Sequence, residues 1–161
     1  MRYYSQFGED KFLEGILPKH GWFVDVGAWN GRHLSNTYIF ASSGWDGVEI
    51  EADLNRVEQM KKYLPDRIYR ICEKVKRDNL DILLSMVPEL PKDFELLSID
   101  IDSYDYWVWK NLKDYKPKYV VIEVGSATTP DSMTKLGERK GYTLIWDKAN
   151  FIFKRNDLLE N

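Results

Sequence analysis

The sequence predicts an α/β fold built on a mainly parallel sheet. Short apolar runs alternate along the chain with segments of helical periodicity, which is typical of strands joined by crossover helices. The 161 residues suit one domain, and 43% of them are apolar, enough for a full hydrophobic core. No internal repeat and no linker long enough to separate domains is evident. We therefore expect a single domain over residues 1–161.

Each strand is predicted from a short apolar run bounded by glycine, proline or polar residues. Five of these runs are followed by helical patterns, as parallel strands with crossover connections require. They are Trp22–Val26, Gly47–Glu51, Arg67–Cys72, Phe94–Ile101 and Tyr119–Val124. Only a few residues join two further runs, Thr143–Trp146 and Phe151–Phe153, which predicts an antiparallel hairpin that closes the sheet.

Helices are predicted where apolar residues recur every three or four positions. Pro18 and Gly21 end the first helix, Asp53 suits the N-cap of the third, and Pro88 and Pro91 follow the fourth. The predicted helices are Glu9–Leu17, Leu34–Ser42, Asp53–Leu64, Asp78–Val87, Tyr104–Leu112 and Asp131–Lys140.

Charge, cysteine content and hydropathy exclude or disfavour several classes of function. The net charge is −3 and the basic residues are scattered, which disfavours a nucleic-acid partner because phosphate neutralisation needs clustered basic groups. The single cysteine excludes an internal disulfide and fits a reducing compartment. No apolar stretch approaches the ~20 residues that a membrane span needs. We therefore expect a cytoplasmic protein with no membrane span.

The segment 23–31, Phe-Val-Asp-Val-Gly-Ala-Trp-Asn-Gly, has the sharpest pattern. Asp25 lies late in the strand, and Gly27 and Gly31 allow a tight turn that approaches a ligand closely. A dinucleotide-binding turn would have its second glycine at the position of Trp29, so no close bed for a pyrophosphate remains. The pattern favours a cationic, phosphate-free ligand such as S-adenosylmethionine (SAM). The alternative is a purely structural strand–turn–helix.

Acidic residues follow three other strands. Glu51 comes about 20 residues after the glycine turn, where a carboxylate can accept hydrogen bonds from both ribose hydroxyls of an adenosine ligand. The alternative is a solvated strand end. In an extended strand Asp100 and Asp102 would point to the same side, and we expect them at the open carboxyl end because burying unpaired carboxylates is costly. Asp102 is the better candidate for contacting a methyl donor or acceptor.

Glu123, at the end of the fifth strand, could orient or deprotonate an acceptor hydroxyl. Together with Asp102 it could instead hold a divalent cation such as Mg²⁺, although no histidine or asparagine completes a clear ligand set. Cys72 ends the third strand and is interpreted as a packing residue that would lie near an adenine. His33 is interpreted as a loop histidine rather than a base.

Taken together, these blocks resemble the FkbM-type family of SAM-dependent methyltransferases. Their order along almost the whole chain is more specific than any one of them. The resemblance rests on Tyr4–Asp10, Phe23–Gly31, Ser35–Thr37, Gly44–Gly47, Ile50–Glu51, Leu97–Asp102, Ile122–Glu123, Lys140–Tyr142 and Asn150–Phe153.

The resemblance implies a Rossmann-like class I methyltransferase domain. Its sheet would have seven strands, mostly parallel, with a C-terminal antiparallel hairpin and helices on both faces. The N-terminal helical segment, residues 1–20, would pack near the cofactor site. The activity implied is O-methylation of a sugar or other small-molecule or glycan hydroxyl, with SAM as the methyl donor.

The same resemblance implies two sets of site residues. The catalytic candidates are Asp100, Asp102 and Glu123. The candidates for binding the cofactor are Gln6, Asp25, Gly27, Ala28, Gly31, Asn36, Glu51, Cys72 and Asp100. Family members usually have glycine after the aspartate pair, whereas this chain has Ser103. This difference weakens any inference of the substrate from the family. No acceptor-binding insertion is evident, so a large acceptor, a second copy or a partner chain would complete the site.

Two other classes of function compete with a methyltransferase. A non-catalytic SAM-binding or assembly module would keep Asp25, Gly27 and Glu51 but show no turnover. A nicotinamide-dependent oxidoreductase would need the Gly-x-Gly turn that Trp29 interrupts. The aromatic residues around Trp107 and Trp109 could form an interaction face, but their helical spacing is more typical of a core.

Overall fold

All seven predicted strands are present. The computed structural model describes residues 2–159, and their strands are β1 (Trp22–Val26), β2 (Asp46–Glu51), β3 (Tyr69–Cys72), β4 (Leu96–Ile99), β5 (Tyr119–Glu123), β6 (Tyr142–Asp147) and β7 (Asn150–Arg155). They form one sheet in the order β3-β2-β1-β4-β5-β7-β6. The first five strands are parallel, and β7 pairs antiparallel with both β5 and β6. The predicted fold class and terminal hairpin are therefore confirmed.

Among residues 2–159, six α-helices cover the two faces of the sheet. They are α1 (Glu9–Glu14), α2 (Tyr38–Ser42), α3 (Leu54–Tyr63), α4 (Leu80–Leu84), α5 (Asp105–Asn111) and α6 (Pro130–Lys140). The first three contribute buried apolar residues to one core cluster and the last three to the other, so each face has its own core. Within residues 2–159, no helix combines the length and apolar character that crossing a bilayer requires.

The third helix shows how local sequence fixes an element. The Asp53 side chain caps it by accepting hydrogen bonds from the backbone N–H groups of Asn55 and Arg56, as predicted. Val57 and Met60 are buried against the sheet. Leu54, by contrast, is 61% exposed, so it lies outside the buried face of this helix although it is apolar.

Several elements are shorter than predicted. The second helix begins at Tyr38 rather than at residue 34 because the Ser35 hydroxyl accepts hydrogen bonds from the N–H groups of Thr37 and Tyr38, which keeps residues 31–37 in a loop. The fourth strand ends at Ile99, and Asp102 has a φ of 64°, so the expected alternation of Asp100 and Asp102 along an extended strand does not occur.

The strand order reverses between β1 and β4, and at this point the backbone of Gly27 packs directly against the residue that follows β4, Asp100. Its φ is 82°, and a Cβ built on it would overlap the carbonyl oxygen of Asp100. Its N–H donates to the carbonyl oxygen of Ile50 at 2.9 Å, and the N–H of Ala28 donates to the same oxygen at 3.0 Å. The backbone after β1 is therefore fixed between the ends of β2 and β4.

Replacing Gly27 with alanine should destabilise the fold severely, because the new methyl group meets backbone rather than a movable side chain. Gly8→Ala is the matched control, since Gly8 has a similar φ of 89° but no atom within 4 Å of its built Cβ. We expect the control to cost about 1 kcal/mol and Gly27→Ala at least about 2 kcal/mol more, measured by urea unfolding. Equal losses in the two variants would contradict the proposed backbone contact.

Candidate functional site

A cleft of about 480 Å³ opens where the strand order reverses. Gly27 after β1, Glu51 at the end of β2 and Asp100 after β4 line it, together with the loop after β3. In open α/β sheets the crevice at such a reversal is the usual ligand site. The volume lies within the range of ~300–1,000 Å³ that is typical of small-molecule sites. We take this cleft as the candidate functional site.

Glu51 is fixed at one end of the cleft and is 7% exposed. One carboxylate oxygen accepts a hydrogen bond from the N–H of Trp29 at 3.0 Å. The other accepts from the N–H of Asp53 at 3.2 Å and from the Arg56 guanidinium at 3.5 Å. A carboxylate has about four acceptor positions, so this arrangement orients Glu51 and leaves acceptor capacity for a ligand hydroxyl.

Trp29 and Arg56 form the wall beside Glu51. The guanidinium carbon lies 3.3 Å from the centroid of the indole ring, a close cation–π stack. Trp29 also has a φ of 55°, a left-handed conformation that glycine adopts more readily. The sequence shows that Trp29 stands where a dinucleotide-binding turn would have glycine, but it does not show that Trp29 stacks on Arg56.

Three carboxylates gather at the ends of β4 and β5. Asp100, Asp102 and Glu123 each offer an oxygen within 4.8 Å of the others. The buried carboxylate of Asp105 accepts a hydrogen bond from the N–H of Ile101 at 2.8 Å and so holds the loop that carries Asp100 and Asp102. The structure therefore brings together the three residues that the sequence proposes as catalytic.

This acidic cluster holds a proton at neutral pH. Partial desolvation, a hydrogen bond to Asp100 and the negative charges of the neighbouring aspartates together raise the pKa of Glu123 to about 8. Desolvation likewise raises the pKa of Asp100, as do the charges of Asp102 and Glu9. Glu123 is therefore the protonated member of the pair, and a bound cation would displace its proton.

Oxygen ligands of this kind also suit Mg²⁺. The oxygens of Asp100, Asp102 and Glu123 lie close enough together to be ligands of one cation, as predicted for a cation held by Asp102 and Glu123. A divalent cation here stays a prediction.

A buried polar row crosses the sheet beneath the cleft. In the strand register Asp25 lies between Glu49 of β2 and Ser98 of β4. Thr37 donates a hydrogen bond from its hydroxyl to the Asp25 carboxylate at 2.7 Å, and Asn36 donates from its side chain to the Ser98 hydroxyl at 3.1 Å. These side chains are all buried, so they tie the loop before α2 to the sheet.

Glu49 is the unusual member of this row. It is fully buried, and no N–H or O–H group within residues 2–159 donates a hydrogen bond to either of its oxygens. Burial raises its pKa well above the usual value, and the charge of Asp25 adds to this effect. Burial also raises the pKa of Asp25, to about 7. The protonated carboxyl of Glu49 can then donate to Asp25, which satisfies both groups.

The remaining cofactor-binding candidates do not line the cleft. Asp25, Ala28 and Asn36 are buried beneath it, and Gly31 packs against the side chain of Leu64. Two others are exposed outside it, namely Gln6 and Cys72. Direct roles for these six residues in cofactor binding stay predictions.

The segment Tyr4–Asp10 makes buried or half-buried hydrogen bonds that its sequence pattern does not predict. The buried Glu9 accepts a hydrogen bond from the side chain of Asn150 at 2.8 Å, and Asn150 pairs with Glu123 across β5 and β7. The buried Asp10 accepts from the N–H groups of Tyr4 and Ser5. The chain before α1 is thus attached beside the acidic cluster, a contact that only long-range pairing reveals.

The fold is shared with solved SAM-dependent methyltransferases, although no family model and no curated protein matches the sequence. A TehB-like SAM-dependent methyltransferase from Corynebacterium glutamicum is 15% identical, with a TM-score of 0.59 over 96% of this chain and 89% of that one. TrmK from M. capricolum, solved with S-adenosyl-homocysteine (SAH), is 10% identical, with a TM-score of 0.62 over 96% and 70%.

A ribosomal protein L11 methylase from Lactobacillus delbrueckii subsp. bulgaricus is 9% identical, with a TM-score of 0.59 over 91% of this chain and 77% of that one. At these identities the likeness concerns the fold alone. The chain therefore has the Rossmann-like fold of class I methyltransferases.

The carboxyl pair beneath the cleft should make stability depend on pH. Because the folded pKa of Asp25 is raised to about 7 and that of Glu49 is also raised, the folded state binds more protons than the unfolded state above about pH 4. Stability should therefore fall as pH rises towards 7, by up to ~1.4 kcal/mol per pH unit for each group.

Glu49→Gln should flatten this dependence, because an amide of similar size donates to Asp25 without titrating. The matched control is Glu58→Gln on the exposed face of α3, which should leave the slope unchanged. Urea unfolding between about pH 5 and about pH 8 measures both slopes. A wild-type slope that persists in Glu49→Gln would show that the pair does not share a proton.

Proposed function

We propose that this chain is a SAM-dependent methyltransferase that transfers a methyl group to a hydroxyl oxygen. The observation that carries the proposal is the cleft at the strand-order reversal, with an oriented carboxylate, Glu51, at the end of β2 and an acidic cluster at the ends of β4 and β5. The fold shared with solved SAM-dependent methyltransferases supports it.

The residues of the cleft fit SAM in charge and in hydrogen-bonding groups. SAM carries a sulfonium and an ammonium group, and the acidic residues around Asp100 provide compensating negative charge. Glu51 can accept hydrogen bonds from the ribose hydroxyls. Gly27 keeps the turn free of a side chain where the backbone of β4 comes close. The Trp29–Arg56 stack occupies the place of the glycine that a dinucleotide would need, which disfavours a nicotinamide cofactor.

Glu123 and Asp102 would orient and deprotonate the acceptor hydroxyl. When bound, SAM supplies an electrophilic methyl group on its sulfonium. A neighbouring positive charge favours the ionised form of Glu123, which can then take the proton of an acceptor hydroxyl. Asp102 would orient that hydroxyl by accepting its hydrogen bond. A positioned base typically contributes 10²–10⁴-fold to the rate.

The acceptor proposed is a hydroxyl on a sugar or another small molecule. The FkbM-type resemblance supports this choice, and so does the net charge of −3, which disfavours a polyanionic substrate. We also propose that the protein acts in the cytoplasm and that a second copy or a partner chain completes the acceptor site.

The rival that remains is a SAM-binding module without catalysis. It would share the donor side of the cleft, so binding alone does not distinguish it from an enzyme. The difference lies at Asp102 and Glu123, which such a module would not need. The two experiments below therefore test the donor side and the acceptor side separately.

Glu51→Gln should weaken SAH binding about 10- to 100-fold, because the ribose loses a charged hydrogen-bond acceptor. Calorimetric titration with SAM and SAH measures this effect, with NAD as a ligand expected not to bind. The matched control, Glu58→Gln, lies on the exposed face of the adjoining helix and should bind SAH like the wild type. No saturable binding of SAM or SAH to the folded wild type would refute the proposal.

Asp102→Asn and Glu123→Gln should retain SAH binding and lose methyl transfer about 10²–10⁴-fold. SAH release with a panel of sugars and sugar phosphates measures turnover. Because the pKa of Glu123 is about 8 and the base must be ionised, the wild-type rate should rise with pH up to that value. Full activity in both variants would exclude the assigned roles, and no turnover on any acceptor would favour the non-catalytic module.

A further inference from the structure

A second cavity, of about 340 Å³, lies on the other side of the loop that carries Trp29. The N-terminal residues 2–4, Tyr63 of α3 and four loop residues line it; the loop residues are Asn30, Arg32, His33 and Leu34. It shares no lining residue with the cleft. The two cavities are nevertheless adjacent along the sequence, because Trp29 lines the cleft and the next residue, Asn30, lines the second cavity. The mechanism above uses none of these lining residues.

The lining of this cavity is basic and aromatic. It contains two arginines, one histidine and three tyrosines, and no carboxylate. The half-buried guanidinium of Arg32 lies 5.1 Å from the ring centroid of Tyr63 and 5.4 Å from that of Tyr4. The guanidinium of Arg2 lies 5.6 Å from the same Tyr4 ring. Two positive charges therefore converge on one aromatic side chain at the cavity wall.

Neither guanidinium pairs with a carboxylate in the described part of the chain. Within residues 2–159, no carboxylate oxygen lies within 4 Å of a side-chain nitrogen of Arg2 or Arg32, and neither side chain forms a hydrogen bond. The nearby acids are engaged elsewhere: Asp10 accepts from the N–H groups of Tyr4 and Ser5, and Glu14 accepts from the hydroxyl of Tyr3. A half-buried, unpaired guanidinium with five N–H donors is matched by a phosphate or another oxyanion.

The loop presents Arg32 in a fixed position. The side-chain oxygen of Asn30 accepts hydrogen bonds from the N–H groups of Arg32 at 3.1 Å and His33 at 2.9 Å. The rings of Tyr4, Tyr38 and Tyr63 surround the guanidinium within 6 Å and limit its movement. This pre-organisation reduces the entropy that an anion must overcome on binding.

We propose that this cavity binds a phosphorylated small molecule, with its phosphate on Arg32 and Arg2 and a sugar ring against the tyrosines. The volume accommodates a monosaccharide phosphate. The overall charge of −3 disfavours an extended polyanion such as RNA. The inference concerns binding at this cavity and does not depend on the proposed methyl transfer.

The test is calorimetric titration of the whole chain with glucose 6-phosphate, inorganic phosphate and glucose. We expect saturable binding of glucose 6-phosphate, weaker binding of phosphate, and at least a ~10-fold loss of affinity in Arg32→Gln. Arg32→Lys should recover only part of the affinity, because an ammonium lacks the planar fork. Tyr63→Leu should weaken glucose 6-phosphate more than phosphate, because it removes only the surface for the ring.

Lys92→Gln is the matched control, since Lys92 is another cation over a tyrosine ring, 4.1 Å from the centroid of Tyr115, away from this cavity. It should bind like the wild type. Four results would overturn the proposal: no binding of either phosphate compound, equal losses in Lys92→Gln, tighter binding of an RNA oligonucleotide than of glucose 6-phosphate, or a parallel loss of SAH affinity in Arg32→Gln. The last would assign the guanidinium to the carboxylate of SAM.

Discussion

The contact between Gly27 and the end of β4 is the constraint on which the site depends. Strands β1 and β4 are neighbours in the sheet, but their paired residues, such as Phe23 and Leu96, are 73 positions apart in the chain, so their ends meet only through tertiary folding. With no side chain at Gly27, the turn can lie against the backbone of Asp100 while its N–H groups reach Ile50. Glu51 at the end of β2 and Asp100 after β4 are thereby brought to one cleft.

The acidic groups are arranged in two levels that differ in their access to water. Beneath the cleft, Glu49 and Asp25 are buried side by side and burial raises the pKa of both, which is costly at neutral pH for a fold with only a few kcal/mol of net stability. At the ends of β4 and β5, Asp100 of the cleft and the neighbouring Glu123 also have raised pKa values, and this pair lies nearer to solvent. The lower pair holds the loop before α2 through Thr37, and the upper pair remains able to exchange its proton with a ligand.

Most of the fold and part of the site could be predicted from the sequence. Buried parallel strands appear as continuous apolar runs, and the residues directly after them, including Gly27, Glu51 and Asp100, do line the cleft. The protonation of Glu49 could not be predicted, because it depends on the register that places it opposite Asp25. The Trp29–Arg56 stack and the Glu9–Asn150 bond likewise join residues far apart in sequence. The predicted start of the second helix was wrong because the Ser35 side chain accepts hydrogen bonds from backbone N–H groups and so competes with helical hydrogen bonds.

The left-handed backbone of Trp29 has an evolutionary consequence. Its conformational cost, about 1–2 kcal/mol, is similar in size to what stacking on Arg56 contributes, so exchange between tryptophan and glycine at this position is close to neutral for the fold. The backbone already has the shape that glycine prefers. Mutation can therefore open or close the wall beside Glu51 without rebuilding the loop, and ligand preference can diverge among descendants while the sheet stays unchanged.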